Sequence, residues 1–149
     1  MRVVLDTNVL VSGLLGLYSY PARVIDMITL GQLQCIYDDR IMTEYRDVLS
    51  RPKLRPAISD KDRQDILGHL TRSGIHVVAS PVGGDLNAAP DPDDVPFAEV
   101  AVAGAAKLVI TGNASHFSFF AGNQWGISIV SPRECYELLC SKLNQWQKE

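Results

Sequence analysis

Short apolar stretches alternate with helix-patterned segments along the chain, and this alternation limits the possible folds most narrowly. Apolar, mostly β-branched runs fall at residues 2–5, 33–37, 75–79, 108–111 and 127–130. Parallel strands need a crossover helix between them, whereas antiparallel hairpins need only a short turn. The pattern therefore predicts a three-layer α/β/α sandwich with a mainly parallel central sheet. The pattern does not predict the order of the strands within the sheet.

Local signals add further detail to this prediction. Gly13 and Gly16 are expected to weaken the helix that follows the first strand, because glycine is a poor helix former. An alanine-rich helix is predicted over residues 95–106, and loops are predicted over residues 53–58 and 112–123.

Composition and length restrict the class of protein. The 149 residues, 46% of them hydrophobic, predict one domain over residues 1–149. No apolar run reaches the ~18 residues of a membrane span, and Asp6 comes too early for a secretory signal, so we expect a cytoplasmic protein with no membrane partner. The three cysteines contain no C-x-x-C pair and are expected to be free thiols. A net charge of −3 argues against a nucleic-acid coat protein, but an acidic metal pocket would lower the charge of a nuclease in the same way.

Acidic residues fall at or just after the ends of the predicted strands. Asp6 closes the first strand, and Glu44 lies about one turn into the helix after the second. Asp91, Asp93 and Asp94 crowd the start of the helix after the third strand. Functional sites of parallel sheets gather beyond the carboxyl ends of the strands, so these acids are candidates for one shared site.

Grouped carboxylates repel one another, and a hard divalent cation with oxygen ligands relieves that repulsion. Thr111 and Asn113 follow the fourth strand and could join such a group. The side chains of Thr7 and Asn8 are suited to hydrogen-bond Asp6. Each acid also has an ordinary explanation, because aspartates cap turns and helices and a glutamate on a helix is often simply solvated.

Four segments resemble motifs of the PIN-domain family, nucleases that are often the VapC-type toxin of a bacterial toxin–antitoxin pair. Residues 4–10 (VLDTNVL) resemble the opening motif of that family, and residues 43–45 (TEY) resemble its second acidic motif. Residues 91–101 (DPDDVPFAEVA) and 108–113 (LVITGN) resemble the third and fourth motifs. The four matches occur in family order and span most of the chain.

The resemblance implies that Asp6, Glu44 and Asp94 are catalytic and bind Mg²⁺ or Mn²⁺. Asp94 is preferred to its acidic neighbours because it stands seven residues before Ala101, as the third acid of the family does. Asn113 occupies the position of the fourth acid and would also be catalytic. An amide oxygen can ligate or orient water but brings no negative charge, which leaves open whether one ion or two would bind.

Other polar residues are assigned supporting roles. Thr7, Asn8 and Thr111 would hold the ligands in place as outer-shell partners. Candidates for contacts with RNA are the densest basic run, which contains Arg51, Lys53 and Arg55, and the histidine His116. A solvated loop and a surface histidine are ordinary explanations of the same residues.

The sequence thus predicts a Mg²⁺- or Mn²⁺-dependent endoribonuclease acting as the toxin of a type II toxin–antitoxin pair. Expected partners are an RNA substrate, an antitoxin protein and a second copy of the chain, which would pack through the helices near Pro21 and Ser131. The alternative is a catalytically weak or inactive PIN domain that binds RNA or protein. A haloacid-dehalogenase-like phosphatase is disfavoured because Asn8 stands where that family has a second acid, and no G-x-G-x-x-G motif supports a dinucleotide binder.

Overall fold

Five short strands form one sheet in which every neighbouring pair is parallel. The computed structural model describes residues 1–81 and 91–147. The strand order is β3-β2-β1-β4-β5. The predicted parallel α/β/α architecture is confirmed, and the strands are β1 (Arg2–Leu5), β2 (Gln34–Tyr37), β3 (Ile75–His76), β4 (Leu108–Ile110) and β5 (Ser128–Val130).

Helices cover both faces of this sheet. Among those described, none is both long enough and apolar enough to cross a membrane. The α-helices are α1 (Thr7–Leu15), α2 (Tyr20–Thr29), α3 (Asp39–Leu49), α4 (Asp60–Ser73), α5 (Val95–Ala103) and α6 (Pro132–Gln147), and short 3₁₀ helices span Pro52–Leu54, Pro92–Asp94 and Ala114–Phe120.

The central strand β1 positions the carboxyl edge of the sheet. Its residues Val3, Val4 and Leu5 are fully buried, as expected for a parallel strand covered on both faces. Leu5 is in register with Ile110 of β4, and the amide of Asp6 donates to the carbonyl of Ile110 at 2.9 Å. The residues that follow these two strands are therefore brought side by side.

Two predicted elements are shorter than expected. The strand predicted over residues 75–79 pairs only at Ile75–His76, and Val78 is 88% exposed beyond the sheet edge. The helix predicted over 95–106 ends at Ala103.

The end of α5 has a specific physical cause. Ala105 adopts a left-handed conformation (φ 52°), and Ala106 and Ala105 donate their amides to Ala101 and Val102 in the pattern of a Schellman motif. The glycine of this segment, Gly104, stands one position before the left-handed residue Ala105. A Cβ on Gly104 would lie 2.5 Å from Cγ2 of Ile36, so close packing on β2 fixes glycine at that position.

Both predicted loops contain helical turns. The 3₁₀ helix Pro52–Leu54 falls at the start of residues 53–58, and Ala114–Phe120 occupies most of residues 112–123. Buried Phe117 and Phe120 hold the second of these segments to the core. Aromatic burial outweighs the polar, glycine-containing composition from which a loop was predicted.

Gly13 lies where α1 and α2 come closest, which explains its presence inside α1. A Cβ there would lie 2.5 Å from Cγ1 of Ile25 and 2.8 Å from the backbone oxygen of Pro21. At Gly16 the nearest contact would be 3.4 Å, from a serine side chain. The glycine that weakens α1 in isolation thus permits its packing against α2.

We expect Gly13→Ala to destabilise the protein by about 1–3 kcal/mol, because the overpacking cost exceeds the gain in helix propensity of about 1 kcal/mol. Gly16→Ala is the matched control and should change stability by less than about 1 kcal/mol. Urea unfolding followed by circular dichroism measures both. Equal stability of the two variants would contradict the packing explanation.

Candidate active site

Asp6 lies between β1 and α1, at the carboxyl edge of the sheet. Its Oδ2 accepts a hydrogen bond from Oγ1 of Thr111 at 2.7 Å, and Thr111 is fully buried. Burial raises the pKa of Asp6, and the hydrogen bond from Thr111 and the amides of Thr7 and Asn8 oppose part of that rise. The β1–β4 register therefore places an acid with a fixed oxygen at the centre of the candidate site.

Glu44 reaches the same region from α3. Its Oε2 accepts a hydrogen bond from the hydroxyl of Thr7, which is a buried residue in the first turn of α1. Burial raises the pKa of Glu44, and the charges of Asp6, Asp93 and Asp91 raise it further. Glu44 is therefore close enough to Asp6 for the two carboxylates to influence each other.

Asp94 supplies the third carboxylate, at the junction between the 3₁₀ helix Pro92–Asp94 and α5. Its side chain is only 13% exposed, and Oδ2 is buried without a hydrogen-bond partner among the described residues. Burial, then the charges of Asp6 and Asp91, raise the pKa of Asp94 to about 6. Asp91 and Asp93 are exposed instead, and Oδ1 of Asp91 caps the 3₁₀ helix by accepting from the amide of Asp93 at 2.9 Å.

The donor set suits a hard divalent cation, although the carboxylates are not closed around a single point. Within residues 1–81 and 91–147, no three His, Cys, Asp or Glu side chains are grouped so as to hold a metal ion as they stand. The carboxylates of Asp6, Glu44 and Asp94 nevertheless act on one another electrostatically, and each has a raised pKa. A buried carboxylate oxygen without a donor and mutual repulsion are both relieved by a cation with oxygen ligands.

Asn113 and His116 form the side of the site that follows β4. The amide of Asn113 donates to Oγ1 of Thr111 at 3.0 Å, so the residue is tied to the partner of Asp6. Its Nδ2 lies 3.0 Å from Nε2 of His116, and its Oδ1 accepts from Ser115 at 3.1 Å. Nδ1 of His116 is 4.0 Å from Oδ2 of Asp94.

The threonines and Asn8 support the site differently from the sequence prediction. The side chains of Thr7 and Asn8 were expected to contact Asp6, and this was wrong. Thr7 donates to Glu44, and Oδ1 of Asn8 accepts from the amide of Gly112 at 3.3 Å. The three residues lie close to the site, but the side chain that holds Asp6 is that of Thr111.

The predicted basic run lies away from the acids. Arg51, Lys53 and Arg55 are exposed and follow the carboxyl end of α3. Leu49, the last residue of α3, stands five residues after Glu44, roughly 7 Å further along the helix axis, and Arg51 follows beyond that end. His116 is the predicted RNA-contacting residue that lies beside the acids.

Sequence reasoning missed Arg40, Glu99 and Tyr45. Arg40 forms ion pairs with Asp38 and with Glu99, whose side chain is 8% exposed. The hydroxyl of Tyr45 donates to the carbonyl of Leu5, directly before Asp6. A lone acid within the apolar helix sequence VPFAEVAVA was the available signal for Glu99, whereas no sequence signal identifies the partner of Tyr45.

Comparisons with known proteins agree with this geometry. The PIN domain family matches residues 2–115, so the chain belongs to the PIN domain family. It is also 28% identical over 144 residues to Uncharacterized protein MJ1680 of Methanocaldococcus jannaschii, covering 92% of this chain and 90% of that protein. No solved structure matches the chain at a significant level. The fold is thus of nuclease type, and PIN domains are generally nucleases that use divalent metals.

The raised pKa of Asp94 predicts a specific effect on stability. The unfolded carboxyl group loses its proton near its ordinary pKa of 3.8, whereas the folded group keeps it until about 6. The folded state binds more protons between these values, so this group's contribution to stability is lost as pH rises from about 4 to above 6.

We therefore expect Asp94→Asn to raise the melting temperature in EDTA by roughly 2–4 °C at pH 7.5. The gain should vanish near pH 4, where the native carboxyl group is protonated. Asp47→Asn, on the exposed side of α3, is the control for loss of one charge. An equal gain in melting temperature at both pH values would show that the raised pKa of Asp94 is not its cause.

Proposed function

We propose that this PIN domain is a Mg²⁺- or Mn²⁺-dependent endoribonuclease. The observation that carries the proposal is the buried Oδ2 of Asp94, which has no hydrogen-bond partner among the described residues and lies near two further carboxylates at the carboxyl edge of the sheet. A structural role leaves this oxygen unexplained, since buried polar atoms are normally hydrogen-bonded. A nuclease-type fold with acids from three separate elements favours phosphodiester hydrolysis over other uses of such a group.

Asp6, Glu44 and Asp94 would hold the cation. When bound, it would neutralise charge on the phosphate and lower the pKa of the attacking water. The carboxylates supply negative charge that offsets that of the ion, and burial raises the pKa of each of them in the absence of a cation.

The neighbouring side chains would keep the ligands in fixed positions. Thr111 donates to one oxygen of Asp6. Thr7 does the same for Glu44. Asn113 would orient water through its amide, and His116 would contact the substrate phosphate as an N–H donor.

The RNA substrate and the biological context belong to the same proposal. Arg51, Lys53 and Arg55 are proposed to contact RNA at a distance from the cleaved bond, because they lie beyond the far end of α3. A toxin role would require an antitoxin protein. A small neighbouring gene with a DNA-binding pattern would support that role, and its absence would count against it.

A second candidate is a PIN domain that binds RNA or a protein partner and cleaves weakly or not at all. Asn113 favours it, since an uncharged amide at the fourth acidic position lowers the negative charge available to a cation. The open arrangement of the three carboxylates favours it as well.

We expect the wild type to cleave structured RNA in the presence of Mn²⁺ and to be inactive in EDTA. Asp94→Asn should lower the cleavage rate by at least roughly 100-fold, because even outer-shell partners of metal sites contribute 10–100-fold. Asp47→Asn, which removes the same charge from an exposed position of α3, should cleave like the wild type. Equal cleavage by wild type and Asp94→Asn would reject the catalytic assignment.

Asn113→Asp tests the second candidate. A fourth carboxylate should tighten Mn²⁺ binding on the order of 10-fold, since ligand charge tunes cation affinity, and should raise the cleavage rate at low Mn²⁺. Isothermal titration calorimetry and RNA cleavage measure the two effects. Ser118→Asp, at an exposed position of the 3₁₀ helix Ala114–Phe120, is the control for added charge. Tighter Mn²⁺ binding without any cleavage would support the binding-module reading.

A further inference from the structure

The side chain of Arg40 joins the two helices that carry the second and third acids. Its Nε donates to Oδ2 of Asp38 at 2.8 Å, and its Nη1 donates to Oε1 of Glu99 at 2.9 Å. Both carboxylate side chains are 8% exposed, whereas the arginine side chain is 48% exposed. The guanidinium is thus held by two nearly buried acids, one at the start of α3 and one in α5.

Each of these contacts fixes one helix. Oδ1 of Asp38 accepts from the amide of Ile41 at 3.0 Å, so the same carboxylate caps α3 and holds Arg40. Glu99 belongs to α5, five residues after Asp94. The Asp38–Arg40–Glu99 bridge therefore connects the first turn of α3 with the middle of α5.

The bridge lies directly beside the candidate metal ligands. Arg40 precedes Glu44 by four residues, which puts the two side chains on the same face of α3. Both line a cleft of about 150 Å³ between the helices, together with Asp93, Pro96 and Phe97. A change in the separation of α3 and α5 would move Glu44 relative to Asp94.

We propose that Arg40, held between Asp38 and Glu99, is a positioning residue that sets the separation of Glu44 and Asp94 and thereby the affinity for the cation they share. The inference rests on the proposed function. It does not place Arg40 among the groups that touch the substrate.

The chemistry of the three groups favours geometry over stability as their role. The arginine side chain is about half exposed, and exposed ion pairs contribute little to stability, so such a pair is weak support for a purely stabilising role. Arginine has a planar fork that can bind two carboxylates in fixed directions at once, and lysine offers a single flexible charge. The rigid guanidinium of arginine is therefore suited to fix the spacing between two helices.

The inference is tested with three variants of the full chain. Arg40→Met/Glu99→Met replaces the ion pair with an apolar pair, and Arg40→Lys keeps the charge without the fork. The control is Arg133→Met, which removes an exposed ion pair with Glu137 (2.9 Å) on α6. Mn²⁺ affinity is measured from the loss of the free-ion signal in electron paramagnetic resonance, and unfolding in urea with EDTA measures stability separately.

We expect the double variant and Arg40→Lys to bind Mn²⁺ roughly 10-fold more weakly than the wild type, as outer-shell changes do at metal sites. The double variant also removes the ion-pair partner of Asp38, so its unfolding midpoint should fall, and its Mn²⁺ affinity is compared at a temperature at which it is fully folded. Arg133→Met should keep wild-type affinity. If the double variant does not fold, the Mn²⁺ affinity of Arg40→Lys decides the question.

Two results would overturn this inference and leave the proposed function intact. One is wild-type Mn²⁺ affinity in folded variants of Arg40. The other is a change confined to the KM for RNA in Arg40→Lys, which would make Arg40 a substrate contact. If the wild type binds Mn²⁺ no better than Asp94→Asn, the proposed function fails, and this inference fails with it.

Discussion

The parallel pairing of β1 with β4 determines where the candidate ligands lie. Leu5 and Ile110 are in register, so the residues after them, Asp6 and Thr111, emerge side by side from a fully buried pair of strands. A register shift of one residue would turn each side chain to the opposite face of the sheet. The hydrogen bond from Thr111 to Asp6 therefore depends on core packing along the whole length of β1, and the positions of Glu44 and Asp94 matter only relative to that fixed acid.

Placing three acids together costs folding free energy, although the proposed function requires them to be close. Burial raises the pKa of all three carboxylates, and repulsion from Asp6 raises those of Glu44 and Asp94 further. Hydrogen bonds from Thr7 and Thr111 offset part of the cost, but none of the residues that the structure describes donates to Oδ2 of Asp94. A site built only for stability would supply that donor. The unrelieved charge is consistent with the proposed role of these carboxylates as ligands of a cation.

The parts of the site that follow from local sequence could be predicted, and those that depend on tertiary contacts could not. Asp6 and Glu44 stand at strand ends or one turn into the following helix, which the alternation of elements already indicates. Arg40 and Glu99 are 59 residues apart in the chain, and their pairing depends on how α3 and α5 pack. The glycine at position 104 has the same origin, because the contact between Gly104 and Ile36 joins a helix to a strand.

The departure at Asn113 has consequences for the neighbouring residues. An acid at that position would add repulsion to Asp6 and Asp94, whereas the amide can contact His116 and accept from Ser115 without any charge cost. The site thereby gains an ordered hydrogen-bonded edge and loses a ligand charge. Fewer charged ligands mean that affinity for a cation depends more strongly on how well the remaining three are placed. Under the proposed function, the spacing of α3 and α5, and hence the bridge through Arg40, would have more influence on metal affinity in this chain than in a site with four acids.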